Sequence, residues 1–239
     1  MSWLARLFRP HVELSPALAG RIDAWREQPA VSEKIPLAQA RFIVVDVETS
    51  GLDVRKDRLL SIGACAVQAR RLHAGENYET IVRRDEAGER ENILIHGIGP
   101  QAQSAGQAPE EALMGFLEFA GKAPLVAFHA RFDRSMLDRA ARETLGVRLL
   151  NPWLDLAQLA PALVPEARLA RAGLDEWLAY FDLRAGARHR AVDDAFVSAE
   201  LFLILLARAR ARDLATAGAL YALCEQQARL VSGGGAGGA

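Results

Sequence analysis

The stretch Arg41-Phe42-Ile43-Val44-Val45-Asp46-Val47-Glu48-Thr49-Ser50-Gly51 decides how this chain is read. Phe42 to Val45 are all β-branched or aromatic, the composition of a buried strand. Thr49-Ser50-Gly51 then reads as the turn that ends it. Alternate residues of a strand share a face, so Asp46 and Glu48 aim two carboxylates at one place on the rim of an apolar layer. Two like charges held together out of water are costly. A hard cation between them removes that cost, and an oxygen-rich site favours Mg2+ or Mn2+. A lone Asp-x-Glu is more often a pair of solvated loop residues. Further pieces downstream weigh against that here.

Composition narrows the possibilities. The 239 residues, 51% hydrophobic and 25% charged, suit one globular domain with extensions and a sizeable core. A net charge of −1 excludes a bulk polyanion binder, so any nucleic-acid contact must come from a local patch. Of 29 basic residues only Lys34, Lys56 and Lys122 are lysine. The arginine excess, beside so much alanine, reads as coding bias rather than as phosphate recognition. Cys65 lies in a strand-like run and Cys224 in a helix-like one, which argues against a disulfide framework and for a reducing compartment. The opening Met1-Ser-Trp-Leu-Ala-Arg6-Leu-Phe-Arg9-Pro10 is interrupted by arginines and lacks the apolar core of a signal peptide. The longest aliphatic run, Leu201–Ala207, is too short to span a bilayer. A cytoplasmic protein without a membrane-spanning segment is expected.

Residues 1–38 read as an N-terminal extension, punctuated by Pro10, Pro16, Pro29 and Pro36, with one short helix near Leu18–Arg26. Trp3, Leu4, Leu7 and Phe8 within it either pack on the chain itself or dock on a partner or a membrane surface. The main domain is expected over 39–212. Its strands are Phe42–Val47, Leu59–Val67, Tyr78–Arg83, Leu125–Phe128 and Leu149–Leu154, and Ile93–Ile98 reads as an apolar turn segment. Pro109 suits the first position of a helix, with Glu110 and Glu111 complementing its dipole. Helices are expected at Asp133–Leu145, Leu174–Phe181 and Ala191–Arg212, and another after Asp155, which suits an N-cap. Residues 213–239 hold a last helix, Leu214–Arg229, and the flexible Gly-rich tail Ser232–Ala239. Early strands followed by strand–helix alternation predict a mixed α/β sheet.

Two more segments carry chemistry. Phe128-His129-Ala130-Arg131-Phe132-Asp133 places an acid at the start of a helix, where an N-cap would also explain it. Arg188-His189-Arg190-Ala191-Val192-Asp193-Asp194-Ala195 opens the long helix. Positions five apart on a helix are about 140° apart. A His189 inside the helix would therefore face away from Asp194 and pair with Asp193 instead; a His189 on the preceding loop can lean over the same site as Asp194.

Taken in order, Asp46-x-Glu48-Thr49, Phe132-Asp133 and His189-x-Ala191-x-x-Asp194-Ala195 resemble the DEDDh 3′–5′ exonucleases, and among them the epsilon-type proofreading subunits of bacterial DNA polymerase III and their stand-alone relatives. The resemblance spans about residues 40–210 and includes Asp57-Arg-Leu-Leu-Ser-Ile-Gly63 and Ile95-His96-Gly97-Ile98. It implies an RNase H-like fold, a five-stranded mixed sheet with helices on both faces. It implies that Asp46, Glu48, Asp133 and Asp194 hold two Mg2+ or Mn2+ ions, that His189 is the general base, and that Thr49 and His96 lie near the terminal nucleotide. The family often has His-Asn where this chain has Phe128-His129, so His129 is left outside the catalytic set.

The implied activity is metal-dependent release of nucleoside 5′-monophosphates from a nucleic acid 3′ end, single-stranded DNA first, in proofreading or repair. Two metals about 3.5–4 Å apart suit attack on an anionic diester, and a histidine titrating near neutrality suits the proton transfer. The alternatives are a 3′–5′ exoribonuclease acting on short or structured RNA, and an adaptor bound to a DNA polymerase subunit.

Overall fold

The strand expected over Phe42–Val47 runs from Arg41 to Thr49 as β1, in a computed structural model that describes residues 12–84, 97–184, 186 and 189–233. β2 (Leu59–Gln68) and β3 (Arg71–Ile81) follow as antiparallel neighbours, and β4 (Leu125–Ala127) and β5 (Trp153–Asp155) add in parallel on the other side of β1. The sheet order is β3-β2-β1-β4-β5. This is the expected five-stranded mixed sheet.

Strand alternation sorts the core into two layers. Ile43, Val45 and Val47 of β1 pack with α1 (Pro16–Glu27), α3 (Pro109–Ala120) and α4 (Arg131–Leu145). Phe42 and Val44 face the opposite layer of α5 (Leu156–Leu163), α6 (Leu174–Tyr180), α7 (Ala191–Ala211) and α8 (Ala217–Gly233). A short α2 (Pro100–Ser104) precedes α3. The parity of β1 therefore turns Asp46 and Glu48 toward the α7 layer.

Local chemistry explains most boundaries. Pro109 occupies the first turn of α3, with Glu110 and Glu111 beside it. Asp155 caps α5, its Oδ1 accepting the Ala157 N–H at 2.9 Å. Arg21 forks onto Glu111 and Glu118 of α3 at 2.6–2.8 Å, and Leu18, Ile22 and Trp25 of α1 are buried. The short helix near the N-terminus thus joins the first core layer. Residues Trp3–Phe8 and the tail 234–239 lie outside the described residues.

Some boundaries differ from expectation. β3 begins at Arg71, not Tyr78, because it is an edge strand whose first residues are largely exposed and carry little apolar period. β5 shrinks to Trp153–Asp155: Leu150 is exposed, and Asn151 turns inward to donate to Gly121 O and Ala123 O. α4 starts at Arg131, so Asp133 is a residue of its first turn and not its N-cap. Among the described residues no helix is long and apolar enough to cross a membrane.

Candidate active site

β1 delivers the first two acids at its end, where a register shift between Glu48 and Thr49 breaks the ladder with β2. α7 delivers the third. Asp194 is in the first turn of α7 and is buried, at the electropositive end of the helix. Carboxylate oxygens of Asp46, Glu48 and Asp194 all lie within 4.8 Å of one another. Oxygens on opposite sides of one Mg2+ are about 4.2 Å apart, so this spacing suits a small hard cation.

The approach of α7 depends on a missing side chain. Gly63 is the β2 partner of Asp46 in the ladder. A Cβ built on it would come within 2.1 Å of the Ala191 carbonyl carbon and the Val192 nitrogen. The first turn of α7 thus rests directly on the β2 backbone. Two positions on, the Cys65 thiol donates to Ala195 O at 3.5 Å. At the far side Arg190 forks onto Glu79 of β3, with both hydrogen bonds at 2.9 Å. Gly63 and the Arg190–Glu79 pair were not singled out from sequence as positioning elements. A glycine inside an apolar strand is a signal of close backbone approach; nothing in sequence spacing pairs residues 79 and 190.

His189 lies on the loop before α7 in the left-handed region, with φ +63°. Its backbone N–H donates to Asp194 Oδ2 at 3.0 Å. The backbone of His189 is thus tied to Asp194, while Asp193 faces Arg190 at 3.7 Å.

Asp133 arrives from the other layer. Ile43 turns its N–H toward β4, donating to Pro124 O at 2.9 Å, so Val47 two steps of two later points the same way. β4 ends before reaching Val47, and the backbone N–H groups of Val47 and of Asp133 itself lie toward the Asp133 carboxylate and favour its ionised form. Burial raises the Asp133 carboxyl well above its ordinary range, and the nearby charges of Asp155 and Glu48 raise it further. Asp133 stands beside the three-carboxylate group and outside it. A cation among these carboxylates would offset both their mutual repulsion and the burial that disfavours an ionised Asp133.

The other expected residues are placed as follows. Thr49 is nearly buried and its hydroxyl donates to Gly51 O at 2.7 Å, closing the turn after β1. His96 lies outside the described residues. His129, at φ +60°, gives its N–H to Asp155 Oδ1 at 3.0 Å, so the cap of α5 also holds the loop before α4. Asp57 accepts from the Asp53 N–H at 2.7 Å and from the Ser50 hydroxyl at 3.1 Å, which orders the loop that leaves β1.

Residues 43–202 match the RNase_T family, described as exonucleases. The chain belongs to that family. A PolC-type DNA polymerase III of Thermotoga maritima is 31% identical over 173 residues, covering 72% of this chain and 12% of the polymerase. A DNA polymerase III subunit epsilon-like protein of Rhodobacter capsulatus is 31% identical, covering 82% of this chain and 28% of that protein. DNA polymerase III subunit epsilon of Aquifex aeolicus is 29% identical over 71% of this chain and 82% of its own length. The chain thus spans about an eighth of the PolC-type relatives. E. coli exonuclease I in complex with a dT13 oligonucleotide aligns with TM-score 0.61 at 20% identity, covering 74% of this chain and 43% of that one. Exonuclease X in complex with 5′-overhanging duplex DNA aligns at 0.60 and 19%, covering 77% and 99%. These likenesses show the fold, which is RNase H-like as expected. The resemblance of this exonuclease domain to the epsilon type, read from the ordered acids, is borne out.

Proposed function

We propose that this exonuclease domain is a metal-dependent 3′–5′ DNA exonuclease that releases nucleoside 5′-monophosphates, serving proofreading or repair. The observation that carries the reading is the convergence of Asp46, Glu48 and Asp194 within 4.8 Å at the end of β1. Asp133 completes a set of four carboxylates that would hold two Mg2+ or Mn2+ ions; the hard oxygen donors suit those ions. When bound, such ions supply charge neutralisation for the diester and a more acidic water. His189 is the general base, its imidazole taking the proton of the attacking water. Tying its backbone to Asp194 limits how far that ring can stray from the carboxylates. Thr49 holds the turn against which the terminal nucleotide rests, and His96 is proposed beside it.

The exonuclease unit is taken as residues 39–212, flanked by 1–38 and 213–239. A DNA polymerase subunit is the proposed protein partner, because the relatives above carry polymerase III names. The free thiols of Cys65 and Cys224 fit a cytoplasmic setting. Asp46→Ala should abolish Mg2+-dependent digestion of a 3′-end-labelled single strand. Undiminished digestion by that variant overturns the assignment.

A further inference from the structure

An open groove runs along the outward face of α4 and leads away from the acidic site. Its floor on that helix is Arg131, Arg134, Asp138 and Arg142, spaced three or four residues apart and therefore in one stripe. The stripe rises about 16 Å from end to end. Eight basic and two acidic side chains line the groove, in a chain whose net charge is −1. One of those acids, Asp138, is already committed: it accepts the Leu149 N–H at 2.9 Å and pairs with Arg142 at 3.2 Å. Arg131, Arg134 and Arg148 are exposed, and no ion pair to them is found among the described residues. At the far end Lys122 sits over the Trp25 ring, 3.1 Å from its centroid. Burial and the neighbouring Arg26 hold the Lys122 ammonium below its ordinary range. Arg26 pairs with Asp23 and Arg55 with Asp53, so the cations that face the groove without a counter-charge among the described residues centre on Arg131, Arg134 and Arg148.

Its near end adjoins the candidate active site. Arg131 is two residues before Asp133, and Val54 and Arg55 belong to the loop that leaves Glu48 and Thr49. Arg139 of the same helix donates to Asp57 O, which ties that loop to α4. A phosphate backbone entering the acidic site therefore finds a cationic track beginning within one turn of helix. Phosphates follow one another about every 3.4 Å of axis along one strand of a duplex, so the stripe is long enough for several. Arginine offers each a fork of donors. The excess of arginine in the chain says nothing of this by itself; its concentration here does.

We propose that this α4 groove binds the phosphate backbone of the nucleic acid whose 3′ end occupies the acidic site, on the side leading away from that end. The inference deepens the exonuclease reading and rests on it for which end enters. The test uses the full chain and Arg134→Glu/Arg148→Glu, two exposed positions outside the acidic site. Binding of a fluorescein-labelled single-stranded DNA of about 30 nucleotides, long enough to cross the groove, is followed by anisotropy in EDTA over a salt series. The double variant should bind about tenfold more weakly, and its slope of log affinity against log salt should fall by about 1.4, roughly 0.7 per lost phosphate contact. Arg134→Gln/Arg148→Gln should shift in the same direction by less, and decides the matter if the reversed charges perturb folding.

In parallel, both proteins are given Mg2+ and the p-nitrophenyl ester of thymidine 5′-monophosphate, a substrate too short to reach the groove. Equal hydrolysis by wild type and variant, with weakened oligonucleotide binding, supports the proposal. Unchanged DNA binding and salt slope overturn it, even where the ester is cleaved and the exonuclease reading survives. Retention of an acidic protein that depends on Arg134 and Arg148, with DNA binding unchanged, overturns it equally. Groove-dependent DNA binding by a chain that cleaves neither the ester nor any 3′ end instead removes the exonuclease reading and leaves the groove as a nucleic-acid site.

Discussion

The two faces of the sheet bring their acids to the end of β1 by different means. On the α7 side, Asp194 is placed by backbone packing: a helix turn lies on Gly63, flanked by the Cys65 contact and the Arg190–Glu79 fork. On the α4 side, Asp133 lies buried against the Val47 N–H that a short β4 leaves open. The first arrangement tolerates no added volume; the second tolerates no lost acceptor. The α7 side closes the three-carboxylate group, while the α4 side adds a buried acid next to it.

The largest expected break is Gly63→Ala. Its Cβ would overlap the Ala191 and Val192 backbone, which cannot swing aside as a side chain can. Overpacking of this kind costs about 1–3 kcal/mol. A displacement of α7 of about 1 Å should lower kcat on the order of a hundredfold. Denaturant melts and single-turnover digestion read the two effects. A variant with wild-type stability and rate would show that α7 does not rest on this strand.

Asp133→Asn should separate the two sides. It keeps the volume and an acceptor oxygen toward Val47, but it cannot ionise to hold a cation. Without metal the variant should melt no lower than wild type, since no ionised carboxyl need be buried there. With Mg2+ the wild type should be stabilised by about 2.7 kcal/mol at a hundredfold excess over Kd, and the variant by clearly less. Equal Mg2+ shifts in calorimetry would take Asp133 out of the ion site.

The smallest effect belongs to the Arg190–Glu79 fork. Both side chains are largely exposed, so the pair should be worth about 0.2–1 kcal/mol in a double-mutant cycle. Arg190→Ala should slow digestion only a few-fold, through a looser start to α7. A coupling energy indistinguishable from zero would leave Gly63 alone as the clamp on this side.

Much of this was legible in the chain. Alternation along Phe42–Glu48 put both acids on one face, and Pro109 and Asp155 announced their helices because caps and first turns are decided by local backbone hydrogen bonding. The start of β3 was hidden, since exposed edge residues pair through backbone and leave no apolar period. At Asp133 the cap alternative falls away, since Ala130 takes that place and Asp133 lies in the first turn, near Val47 on another element. His189 depended on a φ of +63°, which residue type alone does not announce.

By itself the sequence determined the sheet, the order of the acids and the side of β1 on which Asp46 and Glu48 project, because these follow from periods of two and from short-range capping. Only the tertiary structure brought Asp194, which the motif order had named, within reach of them, and decided that Gly63 must lack a side chain, that β1 has an N–H free of β4 beside Asp133, and that scattered arginines share one groove beside the site. Those depend on contacts between residues tens of positions apart, where hard-sphere exclusion and unpaired backbone groups, not local propensity, select the arrangement.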